Sequence, residues 1–240
     1  MKGFAIIGDV HSQSLPLARA LQYCYERNLR PILLGDLFDS HCGVSDSVEV
    51  YRLVRRAQRD LDAIVLRSNH QFVLERLARK RDVPLKKDIA RTVKDFQEAG
   101  ICIKKVGKWL EKFPYLVAFR DSSGREFRVA HAEIPDTISV PASYNGVWEF
   151  HTPTESEAKL LLWGKPYSLP EKERFWWLLP SDRKWVSVAG HYHKVVRKNN
   201  ALVLDGGCGG VTRSWYDKRS PELLLYEVER RELIGFSVFA

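Results

Sequence analysis

Asp9 and His11 stand two residues apart, just after the apolar run Phe4-Ala5-Ile6-Ile7. Five more polar clusters follow runs of the same kind: Asp36-Leu37-Phe38-Asp39, Asn69-His70, His131, His191-Tyr192-His193 and Asp205-Gly206-Gly207. Together they offer carboxylate, amide and imidazole side chains, which is the ligand set of a two-metal centre. Two divalent ions about 3.5–4 Å apart are the usual machinery for splitting phosphate esters. Oxygen and nitrogen ligands in this mixture suit manganese, with iron or zinc as alternatives. A single Asp after a strand is ordinarily a turn residue, and a single His is ordinarily just hydrogen-bonded. Six clusters in succession, each at the expected end of a strand, point instead to one site.

The elements needed to position them are legible in outline. Phe4–Ile7, Pro31–Leu34 and Ala63–Leu66 read as strands, separated by helices at Leu15–Tyr25 and Val48–Arg59. Ser14 is placed to cap the first helix, with Pro16 in its first turn. Two successive βαβ units predict a parallel-sheet core, with its site beyond the C-terminal ends of the strands. Asp36, after the second strand, is suited to bridging two ions. From Gln71 to about Lys112 the pattern turns helical. Tyr115–Phe119 and Glu126–Ala130 read as a hairpin around Asp121-Ser122-Ser123-Gly124. Residues from about Ala132 to Lys184 lack strong periodicity and hold Trp148, Trp163, Trp176 and Trp177, with Trp185 at the border. We read this stretch as a cap-like excursion within a single domain of 1–240. Trp185–Ala189, Val195–Val196, Ala201–Leu204, Leu223–Val228 and Leu233–Phe239 complete a β-rich second half.

The 240 residues suffice for a substantial core, and no apolar run approaches the roughly 18 residues of a membrane span. With no cleavable leader pattern after Met1-Lys2-Gly3, a cytoplasmic location and no membrane partner are expected. The four cysteines, Cys24, Cys42, Cys102 and Cys208, form no Cys-x-x-Cys pair, so neither a disulfide framework nor structural zinc is expected. Cys24 and Cys102 read as buried thiols. The net charge of +8 is uneven: residues 79–112 carry 11 Lys and Arg against 5 Asp and Glu. A basic segment favours polyanionic partners such as nucleic acid or phosphorylated protein, though a solvated helical face has the same composition.

The order and wording of the clusters resemble the calcineurin-like metallophosphoesterase superfamily. Leu66-Arg67-Ser68-Asn69-His70-Gln71 is similar to the Leu-Arg-Gly-Asn-His-Glu motif of its PPP-type phosphatases, and Gly35-Asp36-x-x-Asp39 to their second motif. Leu204-Asp205-Gly206-Gly207-Cys208 resembles the Leu-Asp-Thr-Gly-Cys of bacterial and phage-type members of that branch. The resemblance implies a four-layer αββα sandwich and two divalent metal ions. It assigns Asp9, His11 and Asp36 to one ion and Asp36, Asn69, His131 and His191 to the other, with His193 a further ligand of the first and Asp205 an assistant to it.

It also implies in-line attack by a metal-bridging hydroxide on a phosphate monoester, in a phosphoprotein, a nucleotide or a small phosphate. The alternative it leaves open is a phosphodiesterase or end-processing phosphatase acting on nucleic acid or cyclic phosphates. His70 would be the general acid, Asp39 would orient it, and Arg67 would clamp phosphate oxygens by its planar fork. Three departures stand out. Ser40-His41 replaces an Arg-Gly, Ser68 replaces a glycine whose backbone would be strained for other residues if φ is positive, and Gln71 replaces a glutamate. His41 could substitute as a phosphate contact, whereas His151 has no motif partner and reads as structural.

Overall fold

The three apolar runs at the start of the chain form neighbouring parallel strands, each ending at its polar cluster. This computed structural model describes residues 3–39, 45–80, 87–165, 184–198, 200–208 and 222–238. The chain opens β1 (Gly3–Ile7), α1 (Ser14–Glu26), β2 (Leu29–Leu33), α2 (Ser47–Asp60) and β3 (Ile64–Val65). Three helices follow: α3 (Asn69–Ala78), α4 (Lys87–Glu98) and α5 (Ile103–Leu110). Then come β4 (Leu116–Arg120), β5 (Glu126–Ala130), β6 (Val147–Phe150), α6 (Glu155–Trp163), β7 (Trp185–Ala189), β8 (Val195–Lys198) and β9 (Ala201–Leu204). The last strands, β10 (Glu222–Glu227) and β11 (Glu232–Ser237), return to the first sheet.

One sheet has the order β11-β10-β1-β2-β3, with β1, β2 and β3 parallel and β10 antiparallel to β1. The other has the order β6-β4-β5-β7-β9-β8. Side chains alternate across a strand, so each strand of the first sheet feeds two cores. Ile6, Ile32, Leu34 and Ile64 point to the second sheet and meet Val117, Phe119, Phe127, Val129 and Val188. Phe119 and Phe127 stack there with centroids 5.2 Å apart. Ala5, Ile7 and Leu33 point the other way, to Leu17 of α1, Val54 of α2, Leu74 of α3, Phe96 of α4 and Leu110 of α5. On the outer face of the second sheet, Leu161 and Leu162 of α6 cover Leu116 and Ala130. The described residues thus build helix, sheet, sheet, helix. Burying each large apolar side chain contributes about 1.5–3 kcal/mol, which holds the strand ends in one place.

Several local expectations shift. Gln13, not Ser14, is the residue before α1, and the Ser14 hydroxyl donates instead to Asp46 at the start of α2. Cys102, expected as a buried thiol, is exposed, because it is the residue that leads into α5. Where it is described, the stretch expected as an excursion is built into the sandwich. β6 pairs with β4 as an edge strand, and α6 is hydrogen-bonded through Leu160 and Leu161 to Glu133 and Ala132. Trp176 and Trp177 lie outside the described residues. No helix among the described residues is long and apolar enough to cross a membrane.

Candidate metal centre

The loops after β1 and β2 are hydrogen-bonded to each other. The amides of Val10 and His11 both donate to the Asp36 carbonyl, at 3.2 and 2.7 Å. Asp36 in turn donates its amide to Ser68 Oγ at 3.0 Å, tying in the loop after β3. From the second sheet, His131 follows β5 and its carbonyl accepts the Gly190 amide at 2.9 Å. The next amide, His191 N–H, donates to Asp9 Oδ2 at 2.8 Å. Gly190 has to be glycine for this approach, since a Cβ there would lie 2.1 Å from Asp9 Oδ1.

Two ligand groups result, Asp9-His11-Asp36 and Asp36-His131-His191, all buried. Asp36 belongs to both, and its two oxygens face different imidazoles: Oδ2 lies 3.6 Å from His11 Nε2, and Oδ1 lies 3.6 Å from His131 Nε2. These separations exceed a hydrogen bond. Asp9 Oδ1 and Asp36 Oδ1 are buried and accept no hydrogen bond among the described residues. His131 Nδ1 lies 3.0 Å from the Leu34 carbonyl, which can only accept, so Nδ1 carries the proton. Its Nε2 then turns a lone pair toward Asn69 Oδ1 at 3.0 Å. Two lone pairs face to face, beside buried carboxylate oxygens without donors, are what a cation resolves. The residues present therefore fit a pair of divalent ions.

Electrostatics point the same way. Burial, with Asp205 and Asp36 nearby, pushes the Asp9 carboxyl well above its ordinary range. Burial would raise Asp36 too, but the facing imidazoles of His131, His70, His11 and His191 outweigh it and hold the carboxyl well below that range. Burial lowers His131, and it lowers His191 to about 3, helped by the neighbouring His131. Both are thus neutral imidazoles, the form that binds metal.

Beside this centre, His70 Nδ1 lies 2.9 Å from Asp39 Oδ2, and its Nε2 faces Asp36 Oδ2 at 4.0 Å. The Thr92 hydroxyl of α4 donates to the other Asp39 oxygen at 2.8 Å. Thr92 is linked at 3.3 Å to Ser47 at the start of α2, and Ser47 at 2.9 Å to Ser12 beside His11. Sequence reasoning missed Thr92, Ser47 and Ser12, which carry no motif and meet only through the packing of α2 and α4. Asn69 and His70 open α3, whose N-terminal amides favour an anion.

The remaining expected residues are placed differently. His193 is exposed and stands 3.4 Å from Asp205 through Nδ1, outside both ligand groups. Asp205 is buried, and its oxygens accept the amides of His193 at 2.6 Å and Gly207 at 3.1 Å, so it braces the histidine loop. The Arg67 guanidinium pairs with Glu75 and stacks on Tyr115 at 4.9 Å. Burial lowers its pKa, and a phosphate clamp would have to draw it from that pair. Ser68 has φ −127, so no positive-φ position is filled here, and its hydroxyl accepts the Gln71 amide as a helix cap. His151 is exposed beside Glu149. Ser40 and His41 lie outside the described residues.

Two facing sheets between helical layers, with one carboxylate shared by two imidazole groups where the strands end, define a metal-dependent phosphoesterase. Residues 3–210 match the calcineurin-like phosphoesterase family, and the chain belongs to it. Among solved structures, a proposed diadenosine tetraphosphatase superposes with a TM-score of 0.58 at 17% identity, covering 98% of this chain and 93% of that one. A hypothetical protein from Pyrococcus horikoshii OT3 gives 0.57 at 11% identity, covering 99% and 88%. A protein serine/threonine phosphatase from Saccharomyces cerevisiae, with similarity to human phosphatase PP5, gives 0.56 at 10% identity, covering 98% and 80%. At such identities the likeness is one of fold. No curated protein matches the chain.

Proposed function

We propose that this single-domain protein is a dinuclear metal phosphatase that hydrolyses phosphate monoesters, in phosphoproteins, nucleotides or small phosphates. The observation that carries the reading is Asp36, whose two oxygens face His11 and His131 at 3.6 Å each and which joins both ligand groups. Asp9, His11 and Asp36 would hold one ion, and Asp36, Asn69, His131 and His191 the other. Such a pair, for which manganese suits the ligands best, would supply a water acidified enough to act as nucleophile at neutral pH and would offset charge on the phosphoryl oxygens.

The chain's own residues do the rest. Asp36 draws the two halves of the site together. His70 presents Nε2 to the side of Asp36, while Asp39 and Thr92 fix its ring through Nδ1. It is placed to give a proton to the departing alkoxide, which lowers the barrier for poor leaving groups. The α3 N-terminus stabilises phosphoryl oxygens without any side-chain charge. Arg67 joins them only after leaving Glu75.

The test is hydrolysis of p-nitrophenyl phosphate and bis-p-nitrophenyl phosphate with manganese, by wild type, Asn69→Ala and His70→Ala. Release from the monoester, abolished in Asn69→Ala and reduced in His70→Ala, is the expected result. Release from the diester alone would transfer the reading to phosphodiesters or nucleic-acid ends. No release from either, with metal bound, would end it.

A further inference from the structure

A cluster of basic side chains lies away from the metal centre. A groove of about 700 Å³ runs beside the edge strand β3, between α2 and α5. Its walls carry Arg30, Arg55, Arg59, Lys105, Lys108 and Lys112 against the carboxylates of Asp62 and Glu149. On α2 the arginines at 52, 55, 56 and 59 repeat at i, i+3, i+4 and i+7, so they share one face. The lysines at 105, 108 and 112 repeat in the same way along α5 and its exit. Like charges at i and i+4 destabilise a helix, and α2 carries such pairs at 52/56 and 55/59. Lys105, Lys108, Lys112 and Arg55 are exposed, and among the described residues none of them makes an ion pair with a carboxylate. Arg55 is also held in place, its guanidinium 5.8 Å from the Tyr51 ring and 5.9 Å from Trp109.

We propose that this groove binds single-stranded nucleic acid through its phosphates. Two basic rows, one on α2 and one on α5, each with about one side chain per turn of about 5.4 Å, suit a linear polyanion bearing one charge per repeat. Planar guanidinium forks match phosphate oxygens in pairs. The volume, that of a pocket for one drug-sized ligand, accepts a segment of a single strand. Trp109 is buried, with its indole N–H donating to Gln58 at 2.8 Å, so base stacking contributes little and recognition is indifferent to sequence. The surface is separate from the proposed reaction, and its test reads binding without turnover.

The experiment is fluorescence anisotropy of a labelled 20-nucleotide single strand across a sodium chloride series. With about four phosphate contacts, log affinity should fall with log salt at a slope of about −3, or roughly fifty-fold between 50 and 200 mM. Arg55→Glu/Lys105→Glu/Lys108→Glu should weaken binding at least tenfold with an unchanged circular dichroism melt. Arg197→Glu/Lys198→Glu/Arg230→Glu, with the same charge change at exposed positions outside the groove, should leave it within threefold. Equal losses in both triple variants would reduce the effect to net charge and overturn the site. So would binding that ignores salt, or displacement by poly-glutamate as effective as displacement by unlabelled strand. If the first triple variant melts early, Lys105→Gln/Lys108→Gln replaces it, and binding unchanged there would equally overturn the proposal.

Discussion

His70 is held through a chain of buried hydrogen bonds, and cutting that chain at its far end grades its role. Thr92→Val keeps the shape of the side chain and removes the hydroxyl that donates to Asp39 Oδ1 at 2.8 Å. Thr92 is fully buried, so the carboxylate loses a partner that solvent does not replace. A hydrogen bond to a charged group contributes about 1.5–3 kcal/mol, and each 1.36 kcal/mol of barrier is tenfold in rate. If the whole loss appears as misalignment of His70, kcat falls about 10- to 150-fold.

The assay compares p-nitrophenyl phosphate, whose leaving group departs without a proton, with an alkyl phosphate that needs one. General acid catalysis contributes about 10²- to 10⁴-fold. His70→Asn should therefore lose that much on the alkyl ester and less than about tenfold on the nitrophenyl ester. Thr92→Val should show the same selectivity at smaller size. Equal losses on both esters in His70→Asn would refute the acid role. A lower melting temperature in Thr92→Val with kcat unchanged on both would confine Thr92 to folding.

Asp36→Asn should abolish binding of both manganese ions, whereas His191→Ala should retain one, as read by metal content after gel filtration. If Asp36→Asn also keeps one, the shared-carboxylate reading fails. Manganese affinity should fall as pH drops, with the sign set by Asp9. Its raised pKa means that the metal must displace a proton there, while His191 at about 3 and the lowered His131 stay neutral and release none. Calorimetry in two buffers should find net proton release on manganese binding as the pH is lowered, and no release at any pH would refute the part given to Asp9. Gly190→Ala places a Cβ 2.1 Å from Asp9 Oδ1. It should cost an ion at the Asp9 side and at least tenfold in kcat, while the urea midpoint moves far less than in Phe119→Ala, a core truncation of about 3–5 kcal/mol.

Residues that follow a strand were legible because the strand itself announces where its end will lie. Asp9, Asp36, Asn69, His131 and His191 therefore emerged from hydrophobic pattern and residue type alone. Two βαβ units announced the parallel core, and the resemblance of the motifs implied the four layers, although the edge position of β6 was legible in neither. Thr92, Ser47 and Ser12 had no such signal, since they are 35 to 45 residues apart and meet only across packed helices. The resemblance cast Arg67 as a phosphate clamp, yet Glu75, eight residues on, pairs with it. The charge count over residues 79–112 pointed at a basic surface but not at its form. One wall of the groove, with Arg55 and Arg59, comes from α2, some 50 residues earlier in the chain, and Lys86 lies outside the described residues.

Backbone strain explains why the ligand loops are spelled as they are. Ten non-glycine residues among those described have positive φ, and six of them are His11, Ser12, Asp36, Asp39, His191 and His193. Such conformations cost on the order of 1–3 kcal/mol each and persist only where surrounding contacts over-determine them. Here the contacts are identifiable. The Asp36 carbonyl takes two amides from the first loop, Ser68 Oγ takes the Asp36 amide, and Asp9 and Asp205 take the amides of His191 and His193. Relaxing any one residue would return its own energy but break bonds that hold its neighbours. The loops are therefore stable as a set and poised with carboxylates and imidazoles turned inward. That arrangement leaves little to reorganise when two cations arrive, which is the condition for charge stabilisation without further cost during reaction.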